Sequence, residues 1–158
     1  MDSNVSKLII RQAAGDDVHE MAELDKICFS VPWSEASFLH EVTENGLALY
    51  IVAELEGKLV GYAGIWLIAG EGHITNVAVH PDYRRRHIGE AIVSALLAEA
   101  ETAGVFAETL EVRAMNSAAQ GLYAKFGFKA EGIRKGYYED NGEDAVIMWR
   151  TAAGSKEI

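Results

Sequence analysis

The chain has 158 residues, about half of them apolar and 24% charged, which suits one domain with a proper buried core. Its formal net charge of −10 argues against non-specific binding to nucleic acid and suits a basic partner such as a cationic protein tail or a polyamine. No apolar run reaches the ~18 residues of a membrane helix, the start Met1-Asp2-Ser3-Asn4 lacks a signal peptide's basic and apolar stretches, and the lone Cys28 can form neither an internal disulfide nor a thiolate metal cluster, so a cytoplasmic protein without membrane contact is expected.

Residues 1–6 and 151–158 read as loose ends, and no repeat or linker divides the span between them. Leu8 to Gln12 is short and apolar, a first strand. Residues 16–28 carry Val18, Met21, Ala22, Leu24 and Ile27 near helical spacing. Pro32 interrupts the chain, and Ser34 is placed to cap a second amphipathic helix through Glu44 that holds Phe38, Leu39 and Val42. Two β-rich runs, 48–55 and 58–68, flank Glu56-Gly57, a hairpin signal. Gly70 to Gly72 forms the next turn, and 73–79 a strand that must leave the sheet at His80-Pro81-Asp82.

Residues 89–103 read as a helix, since Ile88, Ile92, Ala95, Leu96 and Glu99 recur every three or four positions, and Gly104 is placed to end it. A strand over 108–113 follows. The helix predicted for 117–126 starts with a capping box of Ser117 and Gln120 and stops at Gly127. Residues 129–138 and 143–150 form a closing hairpin. Antiparallel hairpins mixed with crossover helices around one sheet define an α+β class, with about seven strands and four helices.

The stretch Val77-Ala78-Val79-His80-Pro81-Asp82-Tyr83-Arg84-Arg85-Arg86-His87-Ile88-Gly89-Glu90 ends a strand, passes three arginines and opens a helix at a glycine. Helix N-termini present unpaired N–H groups and a positive dipole end, and glycine allows close approach of a ligand to the backbone. This is a phosphate-binding arrangement. It has neither the GxxxxGK[ST] form of a nucleotide-hydrolysing loop nor GxGxxG after a strand. Alone, the arginines also fit a solvated basic loop.

A second constellation is Leu110-Glu111-Val112-Arg113, Asn116, Tyr123 and Phe126-Gly127-Phe128. Leu110 and Val112 share one strand face, so Glu111 points the other way, into a cleft. Asn116 stands where the chain enters a helix, and Tyr123 lies two turns along it. Plainer roles are open for each: Glu111 as a partner of Arg113, Asn116 as a cap, Tyr123 as a core aromatic, Tyr137 and Tyr138 as strand residues. His19-Glu20-Met21-Ala22-Glu23 lacks the second histidine of a zinc HExxH, so no metal is expected there. His40, His73 and His80 read as surface or loop residues.

The first of these stretches resembles the coenzyme A-binding motif of the GNAT N-acetyltransferases, Q/R-x-x-G-x-G/A, with His87 standing where the family usually has its first glycine. The second resembles the ribosomal-protein-alanine N-acetyltransferase group of that family. So do Phe29-Ser30-Val31-Pro32-Trp33-Ser34 and Arg134-Lys135-Gly136-Tyr137-Tyr138 with Glu143-Asp144-Ala145. The resemblance spans nearly the whole chain. It implies a GNAT fold, a single mixed sheet splayed at the site of acetyl-CoA, and direct acetyl transfer in a ternary complex. The acceptor it implies is a protein N-terminal amine, an N-terminal alanine of a basic small-subunit ribosomal protein. It implies Glu111 as general base, Tyr123 as general acid, and cofactor contacts by Val77, Ala78, Val79, Arg85, Arg86, His87, Ile88, Gly89, Glu90 and Asn116. Trp33, Tyr137 and Tyr138 are implied to line the peptide site, and tRNA-modification proteins are implied as further partners.

The chemistry fits these residue types. An α-amine with a pKa of ~7.7–8.0 must lose a proton before it attacks a thioester, and a carboxylate can take it directly or through water. A phenol can protonate the departing thiolate, and backbone N–H groups near Val77 to Val79 can hold the oxyanion, each worth about 3 kcal/mol. Two other readings stay open: an acetyltransferase of small amines, polyamines or antibiotics, and a non-catalytic module that binds acetyl-CoA.

Overall fold

The computed structural model describes residues 7–84 and 87–151. Arg85 and Arg86, and the ends 1–6 and 152–158, lie outside the described residues. Seven strands form one sheet: β1 (Leu8–Gln12), β2 (Ala48–Leu55), β3 (Lys58–Ile68), β4 (Glu71–Val79), β5 (Ala107–Arg113), β6 (Lys129–Arg134) and β7 (Ala145–Thr151). The helices are α1 (Val18–Cys28), α2 (Glu35–Thr43), α3 (Ile88–Thr102) and α4 (Ser117–Ala124). The strand order is β1-β2-β3-β4-β5-β7-β6, and every neighbouring pair is antiparallel except β4 and β5. The α+β architecture expected from the sequence is the one observed.

The β2–β3 turn holds Glu56 and Gly57 at φ 53° and 81°, both left-handed, which matches the twist of a two-residue hairpin. The β3–β4 turn repeats this with Ala69 and Gly70, φ 52° and 82°. The turn expected at Gly70 to Gly72 is therefore one residue earlier, and Gly72 belongs to β4. Ser34 caps α2, its hydroxyl accepting from the Ser37 N–H at 3.1 Å. The capping box expected of Ser117 and Gln120 does not form. Asn116 is the N-cap of α4, and the Gln120 amide turns back to donate to the carbonyls of Arg113 and Ala114. The closing hairpin is shorter on its first side than expected: β6 ends at Arg134, and Tyr137 and Tyr138 lie in the connection to β7. Thr151, expected in a loose end, closes β7 opposite Ala107.

The two faces of the sheet carry separate cores. Ile51, Ala53, Val60, Ile65 and Ile74 pack with Ile92, Val93 and Leu96 of α3 and with Leu110, Tyr123 and Met148. Tyr50, Val52, Leu59, Tyr62 and Ala78 pack with Met21, Leu24 and Phe38 of α1 and α2. The pleat sends alternate residues of β2 to opposite faces. A bulge in β3 opposite Ala53 and Glu54 breaks the alternation there, so Leu59 and Tyr62, three residues apart, pack on the same face. Gly64 has no side chain because the Tyr50 ring lies across it; a Cβ there would sit 2.2 Å from the ring. Tyr50 thereby reaches across β3 to α2 and β4, where its hydroxyl donates to Glu41 and meets Thr75 Oγ1, each at 3.1 Å.

Candidate active site

Strands β4 and β5 pair only over three residues, Glu71 with Ala107, Gly72 with Glu108 and His73 with Thr109. Beyond His73 they diverge. A bulge at Thr75, where Gly64 faces Asn76 but Ile65 faces Ile74, twists β4 away from its parallel neighbour. Backbone groups on the β5 side of Asn76 to Val79 have no strand partner, so the split can take an extended ligand as a further strand-like element. Asn76 adds a buried side-chain oxygen with no hydrogen-bond partner among the described residues. A buried acceptor left without a donor is what an N–H of a bound ligand would satisfy.

The helix α3 starts directly after this leg. Its N-cap is His87, in the left-handed region at φ 61° and ψ 17°. A residue with a Cβ at this usual glycine position ordinarily avoids such dihedrals. The chain keeps the glycine-like conformation instead, at a cost of roughly 1–2 kcal/mol. Ile88 is buried in the core, so only its backbone can reach a ligand. The Glu90 carboxylate is engaged by Lys125 at 2.8 Å and by His87 at 3.3 Å, which leaves its N–H as its contribution to an anion site. A Cβ on Gly89 would meet its nearest neighbours, Leu122 and Val79, at 3.5 and 3.8 Å, ordinary contact distances. Packing does not demand glycine there. Arg84 folds back, its Nε donating to the Val79 carbonyl at 3.1 Å. Val77 and Val79 lean on the α3 core, and Ala78 is buried on the opposite face.

On the other leg, Glu111 does not pair with Arg113. Its Oε1 accepts from His73 Nε2 at 2.7 Å, and Arg134 Nε lies 3.7 Å from Oε2. The hydrogen bond from His73 holds the Glu111 carboxyl below the usual range, against the opposing effect of burial. Arg113 serves the β6–β7 connection, binding Asp140 at 2.8 Å and Glu143 at 3.1 Å and stacking 4.0 Å over the Tyr138 ring. Tyr137 stands edge-on to Tyr138, 5.0 Å between centroids, and Arg134 lies 5.7 Å from its ring. Burial pushes the Tyr138 hydroxyl up to about 12.

Tyr123 is buried, edge-on to Phe128 at 5.8 Å, and its hydroxyl has no hydrogen-bond partner among the described residues. Burial pushes its pKa well up, with a further push from Tyr138. No contact joins Tyr123 to Glu111; Tyr138 is the electrostatic neighbour of both. Asn116 spends its side-chain carbonyl on the cap, accepting from the Ala119 N–H at 3.0 Å. Trp33 is fixed by its N–H donating to Asp25 at 2.8 Å and by its ring against Phe38 at 5.4 Å. Its loop touches the β6–β7 connection through Ser30 and Asp140, 2.5 Å apart.

Three residues near the site were not read from the sequence. His73, read as the first residue of a strand and as a surface or loop histidine, is bound to Glu111. Glu41 is 8% exposed, and Trp66 donates to it at 2.6 Å. The signal for His73 was the strand register alone: opposite Thr109 in a parallel pair, it shares a face with Glu111 two residues on.

A sheet split between two parallel strands, with a helix N-terminus on one leg and a carboxylate on the other, is the frame of an acetyl transfer site. The chain belongs to the acetyltransferase (GNAT) family, whose profile matches residues 18–128. A Bacillus subtilis (strain 168) protein named as a candidate ribosomal protein bS18-alanine N-acetyltransferase is 42% identical over 146 residues, 92% of this chain and 97% of its own. The ribosomal protein bS18-alanine N-acetyltransferase of Escherichia coli (strain K12) is 36% identical over 134 residues, 84% of this chain and 89% of its own. The crystal structure of the Escherichia coli ribosomal-protein-S18-alanine N-acetyltransferase superposes with a TM-score of 0.86 at 32% identity, covering 95% of this chain and 97% of that one. No helix among the described residues is long and apolar enough to cross a membrane.

Proposed function

We propose that this chain is a cytoplasmic protein N-α-acetyltransferase that moves the acetyl group of acetyl-CoA to the N-terminal alanine of ribosomal protein bS18. The observation that carries this reading is the ionised Glu111, held by His73 on the leg of the split that faces the unpaired stretch of β4. The likeness to the bS18-alanine N-acetyltransferases supplies the acceptor.

The N–H groups of His87, Ile88, Gly89 and Glu90 at the start of α3 hold the pyrophosphate of acetyl-CoA, with Arg85 and Arg86 supplying charge. The unpaired backbone of Val77 to Val79 binds the acetyl-bearing arm and donates to the thioester carbonyl. Asn116, at the start of α4, adds a contact through the part of its amide not used in capping. Glu111 accepts a proton from the acceptor ammonium, directly or through one water, and becomes a neutral acid, with His73 holding it in place. The freed amine nitrogen bonds to the carbonyl carbon, the carbon–sulfur bond breaks, and Tyr123 gives its proton to the leaving sulfur; the second proton that the nitrogen sheds on becoming an amide passes through water to restore the phenol. The Tyr123 phenol is protonated at neutral pH, and burial keeps it so. Cys28 is half-buried behind Arg84, which favours direct transfer over an acyl-enzyme. Trp33, Tyr137 and Tyr138 border the path of the acceptor peptide. The acidic surface suits tRNA-modification proteins as further partners.

The test is an acetyl-transfer panel of N-terminal peptides, including the bS18 N-terminus, against polyamines and other free amines. Turnover concentrated on the peptides is expected. Preference for free amines overturns the peptide reading, and tight acetyl-CoA binding without turnover on any amine overturns the enzyme.

A further inference from the structure

Between α2 and β3 lies a cavity of about 450 Å³ lined by Trp33, Ala36, Ser37, His40, Glu41 and Trp66. Its volume is in the range of small-ligand pockets. Glu41 is only 8% exposed, yet no Lys, Arg or His among the described residues pairs with it. Its oxygens accept only from neutral donors: the Tyr50 hydroxyl at 3.1 Å, Trp66 Nε1 at 2.6 Å and Asn45 Nδ2 at 2.9 Å. His40 turns to Glu44 instead, at 3.8 Å. A carboxylate this far out of water lacks its usual cation. The arrangement holds it rigidly all the same: three hydrogen bonds fix its plane, and two indoles stand on the cavity wall.

A chain of contacts leads from the cavity wall to Glu111. Trp66 stands edge-on to His73, 6.2 Å between centroids, and His73 binds Glu111. An extended peptide advances about 3.3 Å per residue, so its second to fourth residues pass within reach of the cavity when its N-terminus is at Glu111.

We propose that this cavity is a specificity pocket for a lysine or arginine side chain of the acceptor peptide, following its N-terminal residue. The cation supplies the missing partner of Glu41, and its apolar stem lies against Trp33 and Trp66, where aromatic faces add to the attraction. The net charge of −10 favours the approach of such a peptide. The proposal rests on the peptide-acceptor reading above and narrows it to a basic acceptor.

The experiment compares N-terminal alanine peptides in which each of positions two to four carries lysine, arginine or the neutral isostere norleucine. At one position the basic peptide is expected to win by about tenfold in kcat/KM, expressed mainly in KM. Glu41→Gln should bring that ratio close to one. Ala36→Lys, on an exposed wall residue outside the Glu41 network, should do the same by placing a cation in the pocket. Brisk acetylation of all peptides with no basic preference overturns the pocket and leaves the peptide reading standing. A preference that survives both substitutions also overturns it. Acetylation of no peptide at all sinks both readings together.

Discussion

His73 Nε2 donates to Glu111 Oε1 at 2.7 Å across the point where β4 and β5 part. The two side chains come from strands 38 residues apart in sequence, and neither is tied to the cores that hold the sheet together. Their pairing keeps a carboxylate charged at the mouth of the split. It makes Glu111 the residue whose loss should most affect chemistry with the least effect on folding. Glu111→Gln is expected to lower kcat by about 10²–10⁴-fold, the usual contribution of a positioned general base. Steady-state thiol release with the bS18 peptide reads this directly. A rate within a factor of two or three of wild type removes Glu111 from the mechanism.

The same pair has a pH signature in stability. The Glu111 carboxyl is depressed in the folded chain, so the pair contributes stability above the ordinary carboxylate pKa of about 4.3. That contribution disappears as pH falls through the lowered folded value. Urea unfolding at pH 7 should therefore show wild type more stable than Glu111→Gln, with the gap closing under strongly acidic conditions. A gap that widens on acidification contradicts the assignment of the shift to His73.

Tyr123→Phe separates packing from proton donation. The ring fills the core against Phe128, while the hydroxyl makes no hydrogen bond among the described residues. Removing it should change unfolding free energy by no more than about 0.5 kcal/mol. As a proton donor its loss should slow turnover by about 10²-fold. Thermal melts alongside single-turnover rates decide between the roles; an unchanged rate leaves Tyr123 as a core aromatic only.

His87 and Gly89 give opposite predictions at adjacent turns of the same site. His87 occupies a left-handed conformation, so His87→Gly relieves strain and should be neutral or stabilising by up to about 1 kcal/mol, with acetyl-CoA binding kept. His87→Val should destabilise, because a β-branched side chain tolerates that conformation poorly. Gly89→Ala fits the protein's own packing, so under the proposed cofactor site its added methyl group should hinder the ligand and not the fold. It should melt no lower than wild type while raising KM for acetyl-CoA. Calorimetric melts and titration with coenzyme A test both.

Asp25 tests the frame around the acceptor side. Its carboxylate accepts from the buried Tyr62 hydroxyl and from the Trp33 N–H at 2.8 Å. Asp25→Ala leaves both donors without a partner and should cost about 2–5 kcal/mol of stability. Asp25→Asn, which keeps an acceptor, should cost less. Equal losses for the two would deny the hydrogen bonds their role.

The elements themselves were largely legible in the chain. Apolar periodicity located all four helices and the seven strands, and Glu56-Gly57, Ser34, Gly104 and Gly127 marked turns and ends because few backbone conformations suit each of them. The α3 segment and the Glu111 to Tyr123 run carried the family likeness, since close approach to a pyrophosphate and a strand-borne carboxylate are local requirements. Errors fell where local signals competed. Ser117 and Asn116 are both good caps; Asn116 takes the Ala119 N–H, and Gln120 turns back to the Arg113 and Ala114 carbonyls. At Ala69-Gly70 two close glycines, Gly70 and Gly72, competed to mark the turn.

What the chain by itself determined is therefore which segments are helix or strand and which stretches carry the family likeness, because both depend on spacing along a short stretch. Tertiary structure decided the partners. Glu111 bonds to His73 rather than Arg113 because β4 and β5 run parallel for three residues before the bulge at Thr75 separates them. Glu41, Tyr50, Trp66 and Thr75 meet because Gly64 lets the Tyr50 ring cross the sheet. Register, bulges and the absence of a side chain at one glycine act between strands far apart in sequence, so no local pattern could announce them.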